Sequence, residues 1–181
     1  MRIISGLARG TILVAPAGVA TRPTSDMAKE SLFNIINMRI RCAQVLDLFC
    51  GSGAIGIEAI SRGAAHATFV DVAKPAMDAT VHNLQKTKLA TQATFLQLTA
   101  AQAVKRLCAS GSLFDVIFLD PPYDTPLLNS TLPLLVQLLA PGGIVIAETD
   151  KAQHTAAPVV KPLNLQDTRV YGRTCFLFYT L

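Results

Sequence analysis

The chain has 181 residues, enough for one domain with at most a small appendage. About half of them (51%) are apolar and only 15% are charged, which excludes a disordered chain and supplies a sizeable core. The net charge of +4 sits in the first quarter: residues 1–44 carry Arg2, Arg9, Arg22, Lys29, Arg39 and Arg41 against Asp26 and Glu30, whereas residues 45–181 balance ten basic residues with ten acidic ones. Such a quarter is either a solubilising surface or a footprint for a polyanion such as nucleic acid.

In chain order, residues 2–14 alternate loosely around Gly6 and Gly10, which predicts a small β-hairpin or an irregular arm. Thr24, Ser25 or Asp26 can cap a helix running to about Met38, with Leu32, Phe33, Ile35 and Ile36 on its buried side. Strands and helices then alternate. Strands are expected at Val45–Phe49, Ala67–Val70, Ala93–Leu96, Phe114–Leu119 and Ile144–Glu148. Between them come helices at Ala54–Arg62, Lys74–Lys86 with Pro75 in its first turn, Ala100–Ala109 and Leu127–Leu139. This is the pattern of a doubly wound α/β sheet. The tail differs: Asp167–Val170 and Thr174–Thr180 read as an antiparallel hairpin at the sheet edge.

Thr125 to Ala147 carries no charge, but Pro126, Pro133, Pro141, Gly142 and Gly143 break it into a helix and a strand of a buried core, so no membrane association is expected. The opening MRIISGLARG has no apolar stretch of the secretory kind, and Cys42, Cys50, Cys108 and Cys175 have no CxxC spacing. Buried free thiols in a reducing cytoplasm are the expectation. His66, His82 and His154 show no metal-ligand spacing, so no metal is expected, and no histidine base serves Ser52 or Ser61.

Two segments carry chemistry. The first strand ends in Asp47-Leu48-Phe49-Cys50-Gly51-Ser52-Gly53-Ala54-Ile55-Gly56, a GxGxxG between strand and helix. Its glycines let the backbone turn tightly and approach a ligand. Asp71 ends the next strand, 20 residues after Gly51, where a carboxylate can accept both hydrogen bonds of a ribose diol. A nicotinamide-binding domain would show the same features. Asp47 discriminates: just ahead of the loop it suits the ammonium of a cationic amino-acid ligand and would repel a pyrophosphate, so the pattern favours S-adenosylmethionine. Asp47 can alternatively serve as a cap of the loop or helix.

The fourth strand runs into Asp120-Pro121-Pro122-Tyr123. Two successive prolines fix φ and remove two backbone donors, so the neighbouring carbonyls can act as acceptors in the site. Asp120 and a carbonyl can hold both hydrogens of a nucleobase amine and aim its lone pair at a sulfonium methyl; Tyr123 can stack on the flat base. Catalysis by Asp120, Pro121, Pro122 and Tyr123 would then rest on orientation and local electrostatics.

These motifs, together with Arg2-Ile3-Ile4-Ser5-Gly6, Arg9-Gly10, Thr21-Arg22-Pro23-Thr24-Ser25-Asp26, Lys29-Glu30-Ser31-Leu32-Phe33-Asn34, Glu58-Ala59, Ser61-Arg62-Gly63-Ala64 and Tyr171-Gly172-Arg173-Thr174, resemble the RsmD-type small-subunit (16S) rRNA guanine-N2 methyltransferases. The resemblance implies a Rossmann-like class I methyltransferase fold: a seven-stranded, mostly parallel sheet with an antiparallel C-terminal hairpin. On it residues 1–43 form a basic N-terminal arm and helix, and residues 44–181 the S-adenosylmethionine-dependent domain. It implies Asp47, Phe49, Gly51, Ser52, Gly53, Asp71, Thr99 and Ala100 as cofactor contacts, and Arg2, Arg9, Arg22, Thr24 and Lys29 near the RNA. The implied partner is 16S rRNA or the assembling small subunit, and a cytoplasmic monomer is expected. Three positions depart from the family's habit: Met27 stands where an Arg is usual, Asp71 replaces the commoner Glu, and Thr99-Ala100 follow the third strand where a polar Asp or Asn usually meets the adenine.

Other readings stay open on the residues alone. The amine acceptor can be a DNA adenine N6 or a protein glutamine, the loop can belong to a nicotinamide-dependent oxidoreductase, and the fold can persist as a non-catalytic RNA-binding module.

Overall fold

A computed structural model describes residues 1–17, 25–123, 125–152 and 158–181. The elements are α1 (Asp26–Ile35), α2 (Asn37–Ile40), β1 (Gln44–Leu48), α3 (Ala54–Ser61), β2 (His66–Val70), α4 (Lys74–Thr87), β3 (Ala93–Leu96), α5 (Ala100–Ala109), β4 (Phe114–Leu119), α6 (Leu127–Thr131), β5 (Leu139–Asp150), β6 (Asn164–Tyr171) and β7 (Thr174–Thr180). They build one seven-stranded sheet in the order β3-β2-β1-β4-β5-β7-β6. β1 to β5 pair in parallel, and β7 pairs antiparallel to both β5 and β6. The α/β sheet and the C-terminal hairpin follow the sequence expectation. From β1 the chain winds outward to β2 and β3, then returns to lay β4 on the other side of β1. The crevice outside the carboxyl ends of β1 and β4 is therefore the topological switch point, where such sheets bind ligands.

Alternation along the strands splits the apolar residues into two cores. Val45, Phe69, Val116, Phe118, Ile144 and Ile146 face one way, packed with α1, α3 and α4 residues and with Ile3, Ala8 and Leu13 of the N-terminal arm. Leu46, Leu48, Ile117, Leu119, Val145 and Ala147 face the other way, against Ala103, Val104 and Leu107 of α5. Fully burying one large apolar side chain is worth about 1.5–3 kcal/mol, so the strands are held by both layers. Gly56 on α3 serves this packing: a Cβ there would come within 2.3 Å of the Phe69 ring.

Several expected elements differ in detail: β5 begins at Leu139 rather than Ile144, and β6 at Asn164 rather than Asp167. The arm contains a single bridge, Arg2 to Ile12, rather than a regular hairpin. The helix expected over 127–139 is α6 followed by a 3-10 helix over Leu132–Leu138, because Pro133 has no N–H to continue the α ladder. The first helix stops at Ile36, whose φ of −94° and ψ of 8° separate α1 from α2. Among the described residues no helix is long and apolar enough to cross a membrane.

Candidate active site at the β1–β4 crevice

β1 leaves the sheet at Leu48, and the next residue, Phe49, adopts a φ of +61°. A left-handed aromatic residue is strained, and the surroundings must hold it there. Phe49 packs against the second core, Cys50 N–H donates to Val70 O at 3.0 Å, and Gly53 N–H donates to Cys50 O at 2.7 Å. Gly51 and Gly53 follow with φ of +55° and +74°, and a Cβ built on Gly51 would meet no atom within 4 Å. The backbone at Gly51 is thus open to a close approach.

Two buried polar residues of α4 fix the loop from behind. The Thr80 hydroxyl donates to Gly51 O at 3.0 Å. Asn83 donates to Ser52 O and to Val14 O, each at 2.9 Å, and accepts from Val14 N–H at 2.8 Å. Ser52 itself is 7% exposed. The sequence reading missed Thr80 and Asn83, since polar residues in a mid-chain helix read as a solvated face.

Four acids lie at or near the carboxyl ends of four neighbouring strands. Register and alternation place Asp47, Asp120 and Glu148 on the sheet face that carries Phe118 and Ile146, with Asp71 two residues beyond Phe69 on that face. Asp47 is 2% exposed and its Oδ2 accepts Gly56 N–H at 2.9 Å, so it caps the first turn of α3. Burial pushes its carboxyl up from 3.8 to about 7, against the Gly56 hydrogen bond, and the Asp71 charge adds to the rise. Asp71 accepts Gly51 N–H at 3.0 Å and Ala73 N–H at 2.9 Å, one on each oxygen, which leaves lone pairs on both for hydroxyl donors. Asp120 N–H donates to Leu48 O at 3.3 Å, which joins the tips of β1 and β4. Its carboxyl is raised well above the ordinary range by burial first, then by the charges of Glu148 and Asp47. Glu148, which the sequence reading took only as the end of a strand, is therefore part of this group.

Two prolines follow Asp120 after β4. Pro121 is buried and Pro122 exposed, and the Thr125 hydroxyl donates to Pro122 O at 2.7 Å. The half-buried Tyr123 donates its hydroxyl to Glu148 Oε1 at 3.3 Å. This set gathers four acids, which favours a ligand that brings positive charge.

The remaining sequence-chosen residues divide. Thr99 caps α5 in a reciprocal capping box with Gln102: its hydroxyl accepts Gln102 N–H at 3.3 Å and its own N–H donates to Gln102 Oε1 at 3.1 Å. Ala100 is buried in the first turn of that helix. Arg2 and Arg9 are exposed, Arg2 in an ion pair with Asp26 at 3.0 Å. Arg22 and Thr24 lie outside the described residues.

Lys29 corrects an expectation. It was expected among the RNA contacts, yet it is 0% exposed. Its Nζ pairs with Glu58 Oε2 at 3.1 Å and donates to Arg2 O at 2.6 Å. Desolvation lowers its pKa while Glu58 raises it. A charge was read as a solvated one, and an internal carboxylate holds it inside instead. Glu58 gathers four donors: Lys29, Arg62 Nε at 2.7 Å, Ile4 N–H at 2.7 Å and Ser5 N–H at 3.0 Å. Arg62 also lies over the Phe33 ring, 4.9 Å from its centre. This centre docks the arm on α3, and the Ser61 hydroxyl adds bonds to Ser5 O at 2.6 Å and from Ala8 N–H at 2.9 Å.

A groove of about 490 Å³ lies at the opposite end of the sheet, lined by Gln44, His66, Thr94, Arg106 and Ser110 among others. It brings together no acid pair and no glycine turn, so the β1–β4 crevice remains the candidate site.

A family model described as conserved hypothetical protein 95 matches residues 1–180. The ribosomal RNA small subunit methyltransferase D of Haemophilus influenzae is 35% identical over 167 residues, covering 91% of this chain and 84% of that protein. The protein of the same description from Escherichia coli K12 is 32% identical over 181 residues, covering 99% and 89%. A solved structure of a hypothetical protein from Thermus thermophilus superposes with a TM-score of 0.83 at 31% identity, covering 98% of each chain.

Proposed function

We propose a reaction for this chain from the premise that it belongs to the family of ribosomal RNA small subunit methyltransferase D: transfer of a methyl group from S-adenosylmethionine to the exocyclic N2 amine of a guanine in small-subunit (16S) rRNA. The observation that carries this reading is the junction of two strand tips. Asp47 with its glycine turn and Asp120 with its Pro-Pro turn lie side by side on β1 and β4, joined by the bond from Asp120 N–H to Leu48 O.

The residues present fit the donor. S-adenosylmethionine brings an ammonium, a ribose diol and an electrophilic methyl on a cationic sulfur. Asp47 would take the ammonium side, where a positive charge returns its raised carboxyl to the ionised form. Asp71 would take the diol with the lone pairs left on its two oxygens. The open backbone at Gly51 would let the ligand lie against the loop. A pyrophosphate would meet four acids here, which disfavours a nicotinamide cofactor.

On the acceptor side Asp120 and a loop carbonyl hold the amine hydrogens, and Tyr123 supports the flat face of the base. Holding those hydrogens turns the nitrogen lone pair away from conjugation with the ring. Asp120 need not be strongly basic, since the amine turns acidic as the new bond forms. The base must leave its helical stack to reach Asp120. Arg2 and Arg9 on the arm would meet phosphates, while the buried Lys29 would not. The working unit is one chain in the cytoplasm, acting on 16S rRNA or the assembling particle.

The test is transfer of labelled methyl to small-subunit rRNA and particles from cells lacking this protein, with the product nucleoside identified by mass spectrometry. Labelled N2-methylguanosine is expected, and Asp120→Ala should abolish it while cofactor binding stays within a few-fold. Label in DNA, in protein or nowhere would reject the assignment.

A further inference from the structure

Glu148 is an acid that neither the glycine turn nor the Pro-Pro turn requires. It is 2% exposed on β5, beside β4. Leu119 pairs with Ala147, so Asp120, just past β4, and Glu148, still within β5, follow side by side, and alternation turns both to the face of Phe118 and Ile146. Glu148 Oε1 accepts the Tyr123 hydroxyl at 3.3 Å and the Thr174 hydroxyl from β7 at 3.4 Å. Its charge acts on Asp120 more than any other does. Bound positive charge in the crevice favours the ionised form of both carboxylates.

An ionised carboxylate only accepts hydrogen bonds. Pro121 and Pro122 contribute no N–H, so the wall made by Asp120, Pro121, Pro122 and Glu148 offers acceptors alone. A base edge set against it must bring its own donors. Guanine brings N1–H next to its N2 amine. Adenine brings the N1 lone pair next to its N6 amine, and that lone pair would face a carboxylate. A neutral amide at the same place would serve either edge.

We propose that Glu148 is the residue that makes this site select guanine: it pins Tyr123 from behind and, beside Asp120, completes an acceptor-only wall that takes the adjacent N1–H and N2–H donors and repels adenine N1. The inference rests on the amine-methylating reading above and adds to it the residue that chooses the base.

The experiment uses the full chain with deuterium-labelled S-adenosylmethionine and small-subunit rRNA from cells lacking this protein, and measures kcat, KM, cofactor Kd and labelled nucleosides. For Glu148→Gln, kcat should fall about tenfold and the ratio of labelled N6-methyladenosine to N2-methylguanosine should rise several-fold, the size expected for one charge-assisted bond. Its cofactor Kd should stay within about threefold, which a merely structural loss would not allow. Glu148→Asp, which keeps the charge, should restore the product ratio. Tyr123→Phe removes only the pinned hydroxyl and should lower kcat about threefold with the ratio kept, so it tests the pinning even if the Gln variant fails to fold. Wild-type kcat and product ratio in Glu148→Gln, or loss of activity in step with cofactor binding, overturns the proposal while leaving the reaction standing. A wild-type chain that labels no guanine overturns both.

Discussion

Asp47 gives a prediction whose sign is fixed by the structure. Its carboxyl is buried and raised from 3.8 to about 7, with burial the main cause. Between those values the folded chain holds a proton that the unfolded chain has released, so stability falls as pH rises through this window and stays low above it. At 1.36 kcal/mol per pKa unit the full loss is about 4 kcal/mol. Asp47→Asn keeps an acceptor for Gly56 N–H and abolishes the titration. The neutral acceptor makes a weaker bond, a loss of about 1 kcal/mol, so without cofactor the variant should be about 3 kcal/mol more stable than wild type at pH 8. Near pH 4 the advantage should vanish. Denaturant unfolding at pH 4, 6 and 8 measures this, and losing the Asp47 charge also eases the rise at Asp120, which adds to the gain at pH 8 with the same sign. The same variant should bind S-adenosylmethionine at least tenfold more weakly by calorimetry, since a charge-assisted bond is lost. A variant no more stable than wild type at pH 8 would refute the reasoning, because the carboxylate would then carry no burial cost for a cation to relieve.

Asp71→Ala should raise the cofactor Kd about tenfold or more by removing the acceptor expected at the diol and loosening Gly51, while S-adenosylmethionine, and not NAD, should raise the melting temperature of wild type. Glu58→Gln should destabilise by about 3–5 kcal/mol in denaturant unfolding, since Lys29 and Arg62 would stay buried beside a neutral group; hydrogen exchange should quicken first at the Ile4 and Ser5 amides. Gly56→Ala should cost about 1–3 kcal/mol by driving a methyl into Phe69, read as a lower unfolding midpoint with an unchanged slope.

Much of this was legible in the chain because it is local. The switch from period-2 to period-3.6 apolar spacing marked β1 to β5, and the Tyr171–Thr174 segment marked the final hairpin. The glycine turn and the Asp-Pro-Pro-Tyr turn were readable as short strings, and parallel pairing of β1 with β4 then brought them together. What escaped depends on distant partners. Glu58 collects residues 29 to 54 positions upstream, which no local pattern reports. Lys29 is an ordinary helix charge until its carboxylate is known. Glu148 looks like a strand end, and only the register with Leu119 sets it beside Asp120.

Asn83 carries one more consequence. A single carboxamide clasps the arm at Val14 and the glycine turn at Ser52. The N-terminal segment is thus stitched to the glycine turn after β1 and does not hang beside it. Deleting residues 1–14 would not leave a trimmed catalyst that had merely lost its grip on RNA. It would strip a brace from the hinge of the loop itself, so donor affinity and RNA affinity should decline together.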